Sequence, residues 1–115
     1  MQVYDWSKIE KEQLTPLFAR QVIHADQMTV ARVFLAKGCL VPEHSHPNEQ
    51  LSVMEQGSLD FVVAGKKITV KAGEILRIPS NVKHSAYATE DVVSIDIFSG
   101  VREDWKYGTD DYLRR

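Results

Sequence analysis

The chain has 115 residues, 43% of them hydrophobic and 26% charged, with a net charge of -2 at neutral pH. A chain of this length buries roughly two-thirds of its unfolded surface, enough for a core without staples, and its basic residues are too dispersed to form an electrostatic footprint for nucleic acid. The single cysteine, Cys39, excludes an intramolecular disulfide and reads as a small buried residue in a reducing compartment, the cytoplasm. No leader is recognisable at the start and no apolar run is long enough to span a bilayer, so no membrane partner is expected.

In the arm 3–14, Ser7 precedes Glu10 at capping-box spacing, which predicts a short helical turn with Trp6 and Ile9 packing the arm on the body. Short apolar runs follow from Leu17. Residues 28–35 are rich in β-formers and end at Lys37-Gly38, a strand and a turn. Further strands are predicted at 51–54, 59–64, 67–71, 75–78, 84–88 and 92–98. Turn residues separate them at Gln56-Gly57, Gly65-Lys66, Gly73-Glu74, Pro79-Ser80-Asn81 and Glu90-Asp91. Many short strands at regular spacing, without helical periodicity, predict one all-β domain of sandwich or barrel type over residues 1–115. The polar tail from Gly100, with Trp105, Tyr107 and Tyr112, should lie over this domain or across a partner subunit.

The chemistry concentrates at His44-Ser45-His46-Pro47-Asn48-Glu49-Gln50. On a strand, His44, His46 and Gln50 share one face, so two imidazoles and an amide oxygen would point together as metal ligands, with Glu49 facing outward. In a loop beside Pro47 the same histidines would be surface residues. A one-residue slip would exchange Glu49 and Gln50. Beyond this stretch, Gln50, Ser52 and Met54 form one face, with Leu51 and Val53 apolar on the other, which predicts that the outer face is covered by a second sheet or a second subunit. In the last strand Ser94, Asp96 and Phe98 share a face, and the carboxylate on so apolar a strand is either solvent-facing or functional. Arg32 and Arg77 lie in apolar strands and either line the interior as anion clamps or snorkel to solvent. His24, before a strand, reads as a surface residue.

Gly38, five residues, His44-x-His46, three residues, Gln50, six residues and Gly57 resembles the first signature motif of the cupin superfamily. Gly73, five residues, Pro79, and His84 five positions after the proline resembles the second. The departures are Gln50 for the usual Glu, Asn81 for Gly and Ala88 for Asn; Asn81 tolerates positive φ, so its turn should survive. The resemblance implies a jelly-roll β-barrel (core about 28–98), a homodimer, and one divalent metal held by His44, His46, Gln50 and His84. Zinc, nickel, iron, cobalt and manganese all suit such ligands. With Gln in place of Glu, the ligand set is neutral, so the site would attract anions and act as a stronger Lewis acid.

Asp96-Ile97-Phe98 followed by Arg102, with the HSHP-x-EQ form of the first motif, is similar to the uronate-ketonising cupins (KdgF-type) of pectin and alginate breakdown. That similarity implies a small anionic substrate, a 4,5-unsaturated monouronate, whose ring opens to an enol that takes a proton on carbon. Asp96 would move the proton, Arg102 would hold the carboxylate, and Phe98 would pack on the sugar, with Arg32 and Arg77 as further substrate contacts. A salt bridge from Arg102 to Glu103, Asp104 or another tail acid is the competing role for that arginine. An iron-dependent dioxygenase and a non-catalytic small-molecule-binding cupin remain the alternatives, since one fold hosts many functions.

Overall fold

Period-two burial dominates the computed structural model, which describes residues 1–115. Its strands are β1 (Glu12–Thr15), β2 (Phe18–His24), β3 (Met28–Leu35), β4 (Leu40–His44), β5 (Gln50–Gln56), β6 (Ser58–Val63), β7 (Lys66–Lys71), β8 (Ile75–Ile78), β9 (His84–Ala88) and β10 (Val92–Ser99). In β3 every second residue, from Thr29 to Leu35, is buried, and β5 buries Gln50, Ser52 and Met54. Such alternation belongs to a sheet with one face on the core.

The strands form a six-stranded sheet in the order β1-β2-β3-β10-β5-β8 and a four-stranded sheet in the order β4-β9-β6-β7. All their pairings are antiparallel. The chain crosses between sheets after β3, β4, β5, β7, β8 and β9, the pattern of a jelly-roll barrel. Between the sheets lies an apolar core that includes Val33, Leu35, Met54, Leu59, Phe61, Ile78 and Val92. Cys39 is buried with them. Gly57 turns β5 into β6 at φ 79°, and a Cβ there would overlap the carbonyl oxygen of Asp91. Glycine is required at that close approach.

The N-terminal arm differs from the capping-box expectation. Its turn is a single 3-10 turn at Trp6–Lys8 capped by Asp5, whose carboxylate accepts from the Ser7 backbone N–H and hydroxyl. Ser7 thus donates to the cap instead of being it. The arm does pack on the body: the Gln21 side chain donates to the carbonyls of Trp6 and Ile9. The β1–β2 hairpin, hidden in the sequence among short mixed runs, extends the larger sheet beside β3.

The stretch 44–50 is not one strand. His44 ends β4, residues 45–49 form a loop, and Gln50 opens β5 in the other sheet. Pro47 breaks the run, so a loop rather than strand parity brings the ligand candidates together. The tail folds over one end of the barrel as a four-residue helix α1 (Glu103–Lys106) and a 3-10 turn (Asp111–Leu113). Leu113 enters the core, an anchor worth roughly 1.5–3 kcal/mol of apolar burial. Behind it Arg20 donates to the fully buried Asp110 at 2.7 Å and stacks on the Trp105 ring. No helix is long and apolar enough to cross a membrane.

Candidate metal centre

Three histidines meet where the two sheets approach each other. His44 and His84 are directly paired across β4 and β9, and His46 reaches them from the loop. One ring nitrogen of each lies within 4.8 Å of the others. Their orientation is fixed from behind. Nδ1 of His44 donates to the Pro42 carbonyl at 2.8 Å, that of His46 to the Asn48 carbonyl at 2.9 Å, and that of His84 to the Val82 carbonyl at 2.8 Å. A carbonyl accepts only, so each Nδ1 carries the proton and each Nε2 keeps its lone pair. Backbone partners of this kind hold metal-binding imidazoles in place.

The loops carrying the two motifs are tied together. The Asn81 N–H donates to the His46 carbonyl at 2.8 Å, and the Ser80 hydroxyl donates to the Pro47 carbonyl. Asn81 has φ 64°, the left-handed conformation anticipated for a residue standing where glycine is usual.

Burial keeps these imidazoles neutral. Desolvation pushes His44 and His46 down to about 4, in each case against the carbonyl hydrogen bond that favours the cation, and it lowers His84 as well. His84 Nε2 is buried without a hydrogen-bond partner. Gln50 Oε1 lies 3.0 Å from His46 Nε2, a contact between two acceptors in this tautomer. A shared cation would satisfy both observations, since each lone pair would then be directed at the metal instead of at another acceptor or at nothing. The donor set therefore fits a divalent transition metal.

An interior cavity of about 50 Å³ opens beside these residues and is lined by His44, Gln50, His84, Asp96, Phe98 and Arg102 among mostly apolar neighbours. Asp96 is on the inner face of β10, not on a solvent face. Burial pushes its carboxyl up to about 6 despite hydrogen bonds from Ser52 and Ser94 that favour ionisation. Ser52 also accepts from Gln50 Nε2 at 2.9 Å. Ser52 is the register partner of Asp96 across β5 and β10, so the hydroxyl that meets the amide stands beside the acid. Phe98 sets its ring edge against His46, with centroids 5.5 Å apart.

Arg102 is 1% exposed and its guanidinium lies over both the Phe98 and the Trp105 rings, 4.7 and 4.4 Å from their centroids. Nε and Nη2 donate to the Asp104 carboxylate at 2.9 and 2.8 Å, and Nη2 also donates to the Tyr112 hydroxyl. The tail-acid salt bridge and the cavity position thus coexist in one residue.

Two expected substrate contacts lie elsewhere. Arg32 and Arg77 point out of the barrel, because their strand positions have the outward parity. Arg32 approaches Glu55 at 3.7 Å, and Arg77 donates to the exposed Glu49 at 2.7 Å. That pair also fixes Glu49 on the outside and leaves Gln50 as the inward oxygen. His24 is half-buried rather than a surface residue. Its Nδ1 meets Thr29 Oγ1 at 2.8 Å, the same hydroxyl that accepts the Arg102 N–H.

Sequence reading missed the residues that hold this site shut. Tyr112 stacks on His44 with ring centroids 4.7 Å apart, and Asn48 donates to the carbonyls of Ser99 and Val101, pinning the loop to the start of the tail. Only the three tail aromatics signalled that the tail had something to cover.

The cupin domain family pattern matches residues 31–98. The pectin degradation protein KdgF of Dickeya dadantii (strain 3937) is 30% identical over 97 residues, which are 82% of this chain and 88% of that one. An RmlC-like cupin from Shewanella frigidimarina NCIMB 400 superposes with a TM-score of 0.83 at 25% identity, covering 89% of this chain and 93% of its own. KdgF from Halomonas sp. superposes with a TM-score of 0.85 at 23% identity, covering 91% and 98%. Two sheets in jelly-roll order, three converging imidazoles and these likenesses lead to one conclusion: the chain belongs to the cupin family and is of KdgF type.

Proposed function

We propose that residues 1–115 act as one cupin unit that binds a divalent metal through His44, His46, Gln50 and His84 and isomerises a 4,5-unsaturated monouronate to its linear ketone. The observation that carries this reading is Asp96, a carboxyl raised to about 6, sharing a cavity with the imidazoles of His44 and His84, the Gln50 amide and a buried arginine. An acid of that kind works as proton donor and acceptor near neutral pH. The likeness to a pectin degradation protein points to the sugar-acid class.

In this reading the hemiacetal hydroxyl gives its proton to Asp96 as the bond from the anomeric carbon to the ring oxygen breaks, leaving an aldehyde and an enolate. Asp96 returns the proton to the alkene carbon and the enolate oxygen becomes the ketone oxygen, so no atom is gained or lost. When bound, the metal supplies Lewis-acid stabilisation of the charge that develops on substrate oxygen. Arg102 attracts the substrate carboxylate, for which a guanidinium is better shaped than an ammonium. Phe98 packs on the sugar face. Ser52 holds the Gln50 amide and the Asp96 carboxyl in register.

The neutral ligand set leaves the metal's charge uncompensated, which favours an anionic substrate. The test is incubation with unsaturated galacturonate and guluronate monomers, following the ring-alkene absorbance before and after chelation. The alkene should disappear, stop disappearing after chelation, and disappear again on reloading. Persistence of both substrates with the loaded protein would remove the reading.

A second copy of the chain is the proposed cover for the outer face of the larger sheet. Leu51 and Ile75 are exposed there, flanked by the oppositely charged Arg77 and Glu49, a self-complementary arrangement.

A further inference from the structure

The cavity is too small for the proposed substrate. At about 50 Å³ it has room for only a few water molecules, whereas a six-carbon uronate with its hydroxyls and carboxylate is far larger. What closes the cavity is the tail. Trp105 and Leu113 line it, and Tyr112 lies on the His44 ring.

On the other side of the tail is an open groove of about 610 Å³, lined by His46, Asn48, Asp104 and Tyr112 among others. Chamber and groove meet at one cluster. Arg102 belongs to the chamber, and the two residues bonded to it, Asp104 and Tyr112, belong to the groove.

The bonding within that cluster bears on how a ligand enters. A carboxylate is gripped best by two parallel N–H donors of a guanidinium. Asp104 already takes such a grip, through Nε and Nη2, and Tyr112 shares Nη2 while donating its own proton to Asp104 at 2.9 Å. Only Nη1 is left for a ligand.

We propose that Asp104 is a placeholder carboxylate. It occupies on Arg102 the position that the carboxylate of an incoming sugar acid takes, and its displacement loosens the turn at residues 103–107 from the mouth of the chamber, while Leu113 and the Arg20–Asp110 pair keep the end of the tail anchored. Asp104 is a positioning residue in this scheme, acting on the ligand through Arg102. The exchange swaps one charge-assisted pair for another, so a carboxylate ligand opens the chamber at little net cost, while a neutral sugar of the same size meets a closed clasp and an unchanged ion pair. Anion selectivity then arises at the gate as well as at the metal. The inference rests on the reading of the chamber as a sugar-acid site.

The experiment uses the purified full chain, with unreactive D-galacturonate and D-galactose as probes, and reads calorimetric affinity together with amide hydrogen exchange over the tail. In wild type, galacturonate should bind and speed exchange of the Trp105, Lys106 and Tyr107 amides, which close onto Arg102 and Glu103 carbonyls; galactose should do neither. Asp104→Asn should speed exchange of the tail without ligand and bind galacturonate about ten- to a hundredfold tighter, the equilibrium factor of a hydrogen-bonded charge. Tyr112→Phe keeps the ring on His44 while removing one clasp hydroxyl, and should give a smaller change in the same direction should Asp104→Asn fold poorly. Equal or weaker galacturonate binding by the folded variants, with wild type binding normally, would overturn the placeholder role and leave the proposed function standing. No galacturonate binding by any of the proteins would overturn the placeholder role together with the sugar-acid reading it rests on.

Discussion

Gln50 Nε2 donates to Ser52 Oγ at 2.9 Å, and this bond turns Gln50 Oε1 toward His46 Nε2, 3.0 Å away. Ser52 therefore decides which end of a neutral amide faces the three imidazoles. Replacing Gln50 by Glu puts a negative charge at that point. Metal affinity should rise and affinity for a carboxylate probe should fall, each by at least about tenfold, because a full charge a few ångströms away in a partly buried site is worth well over 1 kcal/mol. Calorimetric titration with zinc and then with galacturonate measures both. Equal carboxylate binding by both proteins would contradict the role given to the neutral ligand set.

The pH dependence of stability should carry the signature of Asp96. Its folded-state pKa, about 6, lies above the ordinary carboxylate value because burial disfavours the anion. A raised folded pKa means stability that is fully present below the unfolded pKa and lost as pH rises through the folded one. In metal-free protein, Asp96→Asn should therefore be the more stable form above about pH 6, by up to roughly 3 kcal/mol. The advantage should vanish below about pH 4. Thermal melts from pH 4 to 8 read the difference, and a constant offset across that range would refute the assignment.

Asn81 tests the joint between the two motifs. At φ 64° it presents its N–H to the His46 carbonyl. Asn81→Gly should leave the melting temperature nearly unchanged, whereas Asn81→Ala should cost about 1 kcal/mol through left-handed strain. Identical melts for the two variants would show that the turn relaxes freely.

A charge on the outer sheet face should separate two copies. Leu51, opposite Arg77 across β5 and β8, is exposed. Leu51→Glu should convert a dimer to monomers in sedimentation equilibrium without moving the metal ligands. A monomeric wild type at the same concentration would remove the proposed second copy.

The barrel was legible because its strands alternate and its turns carry Gly, Pro and Asn at fixed offsets. The 28–35, 75–78 and 84–88 boundaries coincide with β3, β8 and β9. Metal-ligand candidates were legible from spacing, but for a partly mistaken reason. His44, His46 and Gln50 converge because β4 ends at His44 and the loop that holds Pro47 changes sheets, not because they share one strand face. Parity did place Asp96 and Phe98 on one face, yet it could not say which face was interior, since the opposite residues Val93, Ile95 and Ile97 are more apolar still. Arg32 and Arg77 show the same ambiguity resolved toward the outside. The Asp104–Arg102–Tyr112 clasp left no periodic mark at all: it joins residues of an irregular tail by charge and hydroxyl contacts, and only folding brings them together.

In the proposed reaction Asp96 moves a proton in a chamber where other residues would hold the metal. The most direct test of that role compares wild type and Asp96→Asn on unsaturated galacturonate, with metal content measured in the same samples. Both proteins should carry about one metal per chain, with loss of the alkene in wild type and turnover reduced by roughly 10² to 10⁴ in the variant. Full turnover by Asp96→Asn at equal metal content would contradict the role.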